Sequence, residues 1–124
     1  MIKKELSAIP NIDNYFYISY FNSKYDYLYL NLSEIYYSLN QPIYYAFTDK
    51  DPEYYSPTSF NNLYFYETKR TNSKYEYYYK IDIKSSSKTY IVVKYSVFTS
   101  VGPFYASSSY NDFSSKIPLQ LSLL

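Results

Sequence analysis

The run NSKYEYYYKIDIKSS, residues 72–86, constrains the fold of this chain more than any other stretch. Tyr75, Tyr77, Tyr79, Ile81 and Ile83 recur at every second position, with Glu76, Tyr78, Lys80, Asp82 and Lys84 between them. A period of two marks a strand with one buried face, because successive side chains of an extended backbone point to opposite sides. A helix, at about 3.6 residues per turn, would mix the two sets. Tyrosine suits such a strand: it favours β structure, and its ring packs while its hydroxyl reaches water.

The run KYDYLYLNLS, residues 24–33, obeys the same rule with the faces differently filled. Leu28, Leu30 and Leu32 share one face, and Tyr25, Tyr27 and Tyr29 share the other. With the leucines inward, the three tyrosines form an outward row, and a contiguous aromatic patch is expected to meet a partner. Further strands are expected over 14–21, 42–48, 60–69 and 89–99, with fainter ones over 103–110 and 117–124. Residues 34–39 read as a short strand or the end of the preceding one. The joins carry turn chemistry, in FNSK, LNQP, TDKDPE, SPTS, TNSK, KSSSK and SVGP. IKKELSA could begin a helix, which Pro10 would stop.

Seven to nine strands at roughly ten-residue spacing predict an all-β fold, a single antiparallel β-sandwich. Jelly-roll and immunoglobulin-like topologies both remain open. A length of 124 residues suits one domain. Residues 14–124 are assigned to it, with a C-terminal strand at 117–124, and residues 1–13 to an N-terminal extension that could dock on a neighbour. NSKYDY and NSKYEY lie 50 residues apart. They read either as traces of a duplicated half or as coincidence in a chain rich in these residues.

Composition narrows the chemistry. The chain has no His and no Cys, so the common catalytic triads and dyads and the soft-metal sites lack their groups. Its one Gly cannot build a glycine-rich phosphate loop. Ser73 and Lys74 adjoin, but in a turn sequence without the Ser-x-x-Lys helix context. No enzyme activity and no cofactor are therefore expected. A net charge of +1 gives no bulk attraction to nucleic acid, and Glu76 and Asp82 interrupt Lys74, Lys80, Lys84 and Lys88, so no nucleic-acid partner is expected. No apolar run reaches the length of a membrane-spanning helix, and MIKKELSAIPNID lacks the apolar core of a signal peptide.

Three smaller features bear on sites. Asp49, Asp51 and Glu53 alternate in a loop and are calcium candidates, although Tyr54 and Phe60 stand where an EF-hand loop needs Gly and Glu. The alternative is a solvated acidic turn shaped by Pro52, and no metal is the leading expectation. Asn31, in Asn-Leu-Ser, is a glycosylation sequon if the chain enters a secretory route. The closing IPLQLSLL sets Ile117, Leu119, Leu121 and Leu123 on one face, so a terminal strand could complete its own sheet or a neighbour's.

In outline, the strands YFYISY, YDYLYLNLS, YEYYYKIDIK and KTYIVVKYSV resemble small extracellular β-sandwiches of the CUB-like and bacterial pre-peptidase C-terminal kinds. The resemblance spans about residues 14–110. It implies a binding, adhesion or assembly module at a cell surface or outside the cell. The cysteine pair of CUB domains and the usual glycine-rich turns are missing, and no functional residue carries over. The leading expectation is a structural protein, a subunit of a surface or filament assembly held by strand pairing and by Tyr25, Tyr27, Tyr29, Leu119, Leu121 and Leu123. The alternatives are a carbohydrate- or ligand-binding sandwich and a small cytosolic or viral structural protein.

Overall fold

The computed structural model describes residues 6–19, 26–68, 78–83, 90–110 and 116–117. Among the described residues the strands run in the order β1 (Leu6–Ala8), β2 (Asn14–Ser19), β3 (Tyr27–Asn31), β4 (Leu39–Thr48), β5 (Tyr66–Thr68), β6 (Tyr78–Asp82), β7 (Tyr90–Val97), β8 (Val101–Phe104), β9 (Ser107–Tyr110) and β10 (Lys116–Ile117). The fold is all-β. One sheet has the order β2-β7-β4-β5, a second has the order β10-β9-β3-β6, and a two-stranded ribbon joins β1 to β8. Every pairing is antiparallel.

The two larger sheets face each other across one core, and the period-two rule decides which residues line it. Leu28 and Leu30 of β3 lie opposite Ile81 and Tyr79 of β6. Phe16 and Ile18 of β2 lie opposite Val93 and Ile91 of β7. All eight are buried in a single cluster with Leu32, Ile43, Tyr95 and Val97. Ile83 is buried with them. Each such side chain gains roughly 1.5–3 kcal/mol on full burial. The residues expected inward in the long strands are thus inward. Tyr75 and Tyr77 lie outside the described residues.

The chain's path fixes which edges meet. Thr68 of β5 donates its hydroxyl to the Lys80 carbonyl of β6 at 2.7 Å. Gln41 of β4 donates its side-chain amide to the Tyr79 hydroxyl. Hence β5 and β6 close one side of the sandwich, and β2 and β10 are the edge strands of the other. β3 ends where β4 begins, after a 3-10 turn at Ser33–Ser38. This end is called the upper end below. β4–β7 pairing shifts register between Asn40 and Tyr44, where Pro42 has no N–H to give to the ladder.

The β1–β8 ribbon lies at the upper end. β8 leads from the finish of β7 in one sheet to the start of β9 in the other, so it crosses between the sheets. Phe104 and Ala8 from the ribbon are buried in the core cluster, and the Phe104 ring meets Tyr95 edge-on at 6.3 Å. Residues 6–8 belong to the stretch read from sequence as an extension and a possible helix start. They instead form a strand on β8 of the same chain, because that pairing gives their backbone groups partners.

Two further expectations need correcting. Of residues 34–39 only Leu39, the first residue of β4, is in a strand: Ser33–Ser38 form the 3-10 turn, with Ile35 buried beneath it. Residues 60–65 are not one either, since Pro57–Asn62 form another 3-10 turn and β5 spans only Tyr66–Thr68. Proline at the start of that turn presets the backbone for it and lacks the N–H a ladder would use.

The connection from β4 to β5, residues 49–65, folds back over the outer face of the β2-β7-β4-β5 sheet. Phe60 stacks on Tyr15 at 4.5 Å and 19°. Tyr55 and Thr48 share a hydroxyl hydrogen bond of 2.6 Å. Lys94 sets its ammonium over the rings of Tyr44 at 4.9 Å and Phe65 at 4.3 Å. Beneath this strap Ala46 and Val92 are buried, although both point away from the main core. A second, smaller apolar cluster therefore sits outside the sandwich.

Burial also sets the response to alkali. Tyr95 is held above the usual tyrosine range by burial alone. Tyr15 is raised by burial and then by Asp13, and Tyr45 by burial, with the Asp82 charge adding to it. A phenol whose pKa is raised by folding stabilises the fold fully below its unfolded pKa, about 10, and loses that contribution as pH rises through the folded value. The urea midpoint should therefore hold to about pH 10 and fall beyond it, with phenolate absorbance rising in step. Among the described residues the Tyr95 hydroxyl has no hydrogen-bond partner. Tyr95→Phe should consequently raise stability at neutral pH by about 1 kcal/mol and blunt the alkaline loss. A midpoint unchanged in alkali, or a destabilised Tyr95→Phe, would contradict this account.

Candidate contact surface

The outward tyrosine row expected on β3 is in part covered. Tyr27 and Tyr29 do point away from the core, with rings 6.5 Å apart and tilted by 50°. Both are half-buried rather than open, and Lys80 from β6 holds its ammonium 3.8 Å from the Tyr27 ring centroid. That cation–π contact follows from register: Tyr29 lies opposite Lys80, and Tyr27 is its diagonal neighbour. Tyr25, Leu119, Leu121 and Leu123 lie outside the described residues.

The remaining sequence candidates separate. Asp51 is the N-cap of the Pro52–Tyr54 turn, accepting from the Glu53 N–H at 3.0 Å. The Tyr90 phenol is raised by desolvation first and then by the Asp51 charge. Asp49 and Glu53 are exposed. Among the described residues no three of His, Cys, Asp and Glu gather into a group that could hold a metal. Asn31 is half-buried at the end of β3, and its side-chain oxygen accepts from the Ser33 N–H at 2.8 Å, which starts the turn that follows. No helix among the described residues is long and apolar enough to cross a membrane.

The open apolar surface lies at the upper end, in turns. Asn14 is buried at the start of β2. Its side chain accepts from the Ile9 N–H at 3.0 Å and donates to the carbonyls of Ile9 at 3.0 Å and Ile12 at 3.1 Å. This ties down a tight β1–β2 turn in which Asn11 takes φ 66°, a left-handed conformation that Asn tolerates. The Asn11 N–H donates to the Val97 carbonyl at 3.1 Å, and the Phe98 N–H to the Ser38 carbonyl at 2.8 Å. Three turns are thereby laced together, and each presents apolar side chains to water. Ile9 is 62% exposed, Ile12 52%, Phe98 60% and Tyr37 89%.

Sequence reasoning missed these four because they sit in turns, where period two does not apply. The signal it could have used is the apolar pair flanking Pro10-Asn11, since a turn has no need of isoleucine.

A second aromatic group lies on the β5 edge. Tyr64 and Tyr66 are exposed, with ring centroids 4.8 Å apart. Tyr66 stacks on buried Tyr45 at 5.6 Å, and Tyr45 meets Phe47 edge-on at 5.6 Å. The exposed ring is thus backed by others that reach into the core.

Comparison with family models, curated proteins and solved structures finds no match to this chain.

Proposed function

We propose that the chain is a non-enzymatic structural protein that associates with further copies of itself through the apolar upper end of its sandwich. The observation that carries this reading is that Ile9, Ile12, Tyr37 and Phe98 are all open to water on three turns linked by backbone hydrogen bonds. Exposed apolar groups gathered on a rigid frame gain free energy by burial against a partner and lose little entropy in doing so. The residues available for chemistry point the same way, since a chain without His or Cys lacks the usual nucleophile–base pairs.

The test is the double variant Tyr37→Ser, Phe98→Ser. Both side chains are exposed, so the monomer should keep its fold by circular dichroism. Sedimentation velocity across a concentration series should show association weakened by at least about tenfold, the effect of roughly 1.4 kcal/mol. Unchanged association, or a wild-type chain that stays monomeric at high concentration, would remove this reading.

A carbohydrate-binding role is the second reading, and it is supported by Tyr64 and Tyr66. Their exposed, internally backed rings offer the flat face on which a sugar ring stacks. A glycan screen that loses its hits in Tyr64→Ala would favour it over self-association.

A further inference from the structure

We propose that Tyr64 and Tyr66 form an oxidative modification site, at which a one-electron oxidant fed by hydrogen peroxide joins the two rings of one chain as a dityrosine. Neither residue belongs to the three turns of the association surface, and the site does not depend on that reading.

Composition sets where oxidising equivalents go. The chain has no Cys and no Trp, and its single Met is residue 1, so few side chains compete with phenol for an oxidant. Exposure then selects among the tyrosines. A phenol loses an electron from its ring and a proton from its hydroxyl, so a lasting radical needs water at the oxygen. Tyr64 is 75% exposed and Tyr66 47%. Coupling also needs a second ring within reach. Among the described residues, theirs is the ring contact in which both partners are exposed, with centroids 4.8 Å apart and planes inclined by 57°.

The other tyrosine pairs fall short of this. Tyr37 is open, but its neighbour Tyr36 is half-buried and edge-on at 5.3 Å. Tyr27 and Tyr29 are half-buried at 6.5 Å, and the Lys80 ammonium over the Tyr27 ring opposes removal of an electron from it.

The ladder holds the pair in place. Tyr66 lies opposite Tyr45 of β4 and stacks on its ring at 5.6 Å and 29°. A ring fixed from behind meets its neighbour without the entropy loss of two free side chains. Tyr45 itself is buried, and burial raises its phenol. It keeps its proton, so a radical does not settle there and passes outward to Tyr66.

The step balances. Each ring gives up one electron and its hydroxyl proton, leaving a phenoxyl radical with unpaired density on the carbons ortho to oxygen. One ortho carbon of Tyr64 and one of Tyr66 form the new C–C bond. The hydrogen on each of those carbons then moves through water to the phenolic oxygen, which restores both rings and both hydroxyls. Hydrogen peroxide takes up the two electrons and two protons and becomes two waters, so the chain ends two hydrogens lighter. The bond ties the end of the 49–65 connection to β5 without a cysteine.

The test treats the full chain with a haem peroxidase and one equivalent of hydrogen peroxide, at a concentration where it is monomeric. Trypsin releases residues 51–69 as one peptide. That peptide should appear two hydrogens lighter, show dityrosine fluorescence and give no backbone fragments cut between Tyr64 and Tyr66. Tyr64→Phe and Tyr66→Phe keep a ring for packing but cannot form a phenoxyl. Each should lower the yield of the lighter peptide by about tenfold, the advantage of a neighbouring ring. Tyr54→Phe, which removes another exposed phenol of the same peptide, should leave the yield unchanged. A bond mapped to other tyrosines in the native chain overturns the proposal, whatever the variants do. A yield unaffected by both Tyr64→Phe and Tyr66→Phe overturns it too. So does dityrosine found chiefly in dimers joined through Tyr64 or Tyr66, because the bond then belongs to two copies.

Discussion

Asn14→Ala is expected to cost about 2–3 kcal/mol of stability. The side chain is buried and makes three hydrogen bonds to the backbone of the β1–β2 turn. Alanine leaves the Ile9 N–H and the carbonyls of Ile9 and Ile12 with no such partner, and an orphaned buried group costs its full desolvation. For a chain of this size the melting temperature should fall by about 8–12 °C, read by circular dichroism. The same substitution loosens the turn that holds Ile9 and Ile12, so association should weaken along with stability. A fall of less than about 2 °C would mean that water replaces the amide and that the latch is not structural.

Phe16→Ala should cost more, about 3–5 kcal/mol, through lost transfer energy and the cavity left behind. Phe16 is fully buried, lies opposite Val93 and packs its ring against Tyr95 at 5.6 Å and 59°. Its removal also opens space beside a tyrosine hydroxyl that already has no hydrogen-bond partner among the described residues. Total stabilities of about 5–15 kcal/mol leave little reserve for such a loss. Tyr54→Ala is the matched control, since an exposed ring on the strap should move the urea midpoint by no more than about 0.5 kcal/mol. If the two substitutions cost alike, Phe16 is not at the centre of the core.

The core was the legible part. Leu28, Leu30, Leu32, Ile81, Ile83, Ile91 and Val93 could be assigned inward from their spacing, because a strand with one dry face has a single way to alternate. The outer cluster was less legible, yet a trace of it is present. Ile91, Val92 and Val93 are consecutive and all buried, and an unbroken apolar run signals a strand covered on both faces. The strap over that outer face could not be read, since Phe60 and Phe65 come from a segment that looked like a strand.

The outward tyrosine row of β3 is half covered for a physical reason. Tyr27 and Tyr29 face outward as their alternation requires, but a neighbouring strand decides whether an outward ring stays wet. Lys80 reaches over Tyr27 only because β6 pairs with β3 in the register it does. Local sequence carries the period of a strand and the chemistry of a turn, so it determined that this chain is all-β and that the leucines and isoleucines of its long strands face inward. Tertiary structure alone decided that Pro10-Asn11, Ser38 and Phe98 meet at one end, that Asn14 is a latch and that the β10 and β2 edges share a side. Those facts depend on contacts between segments far apart in the chain, whose partners no local pattern names.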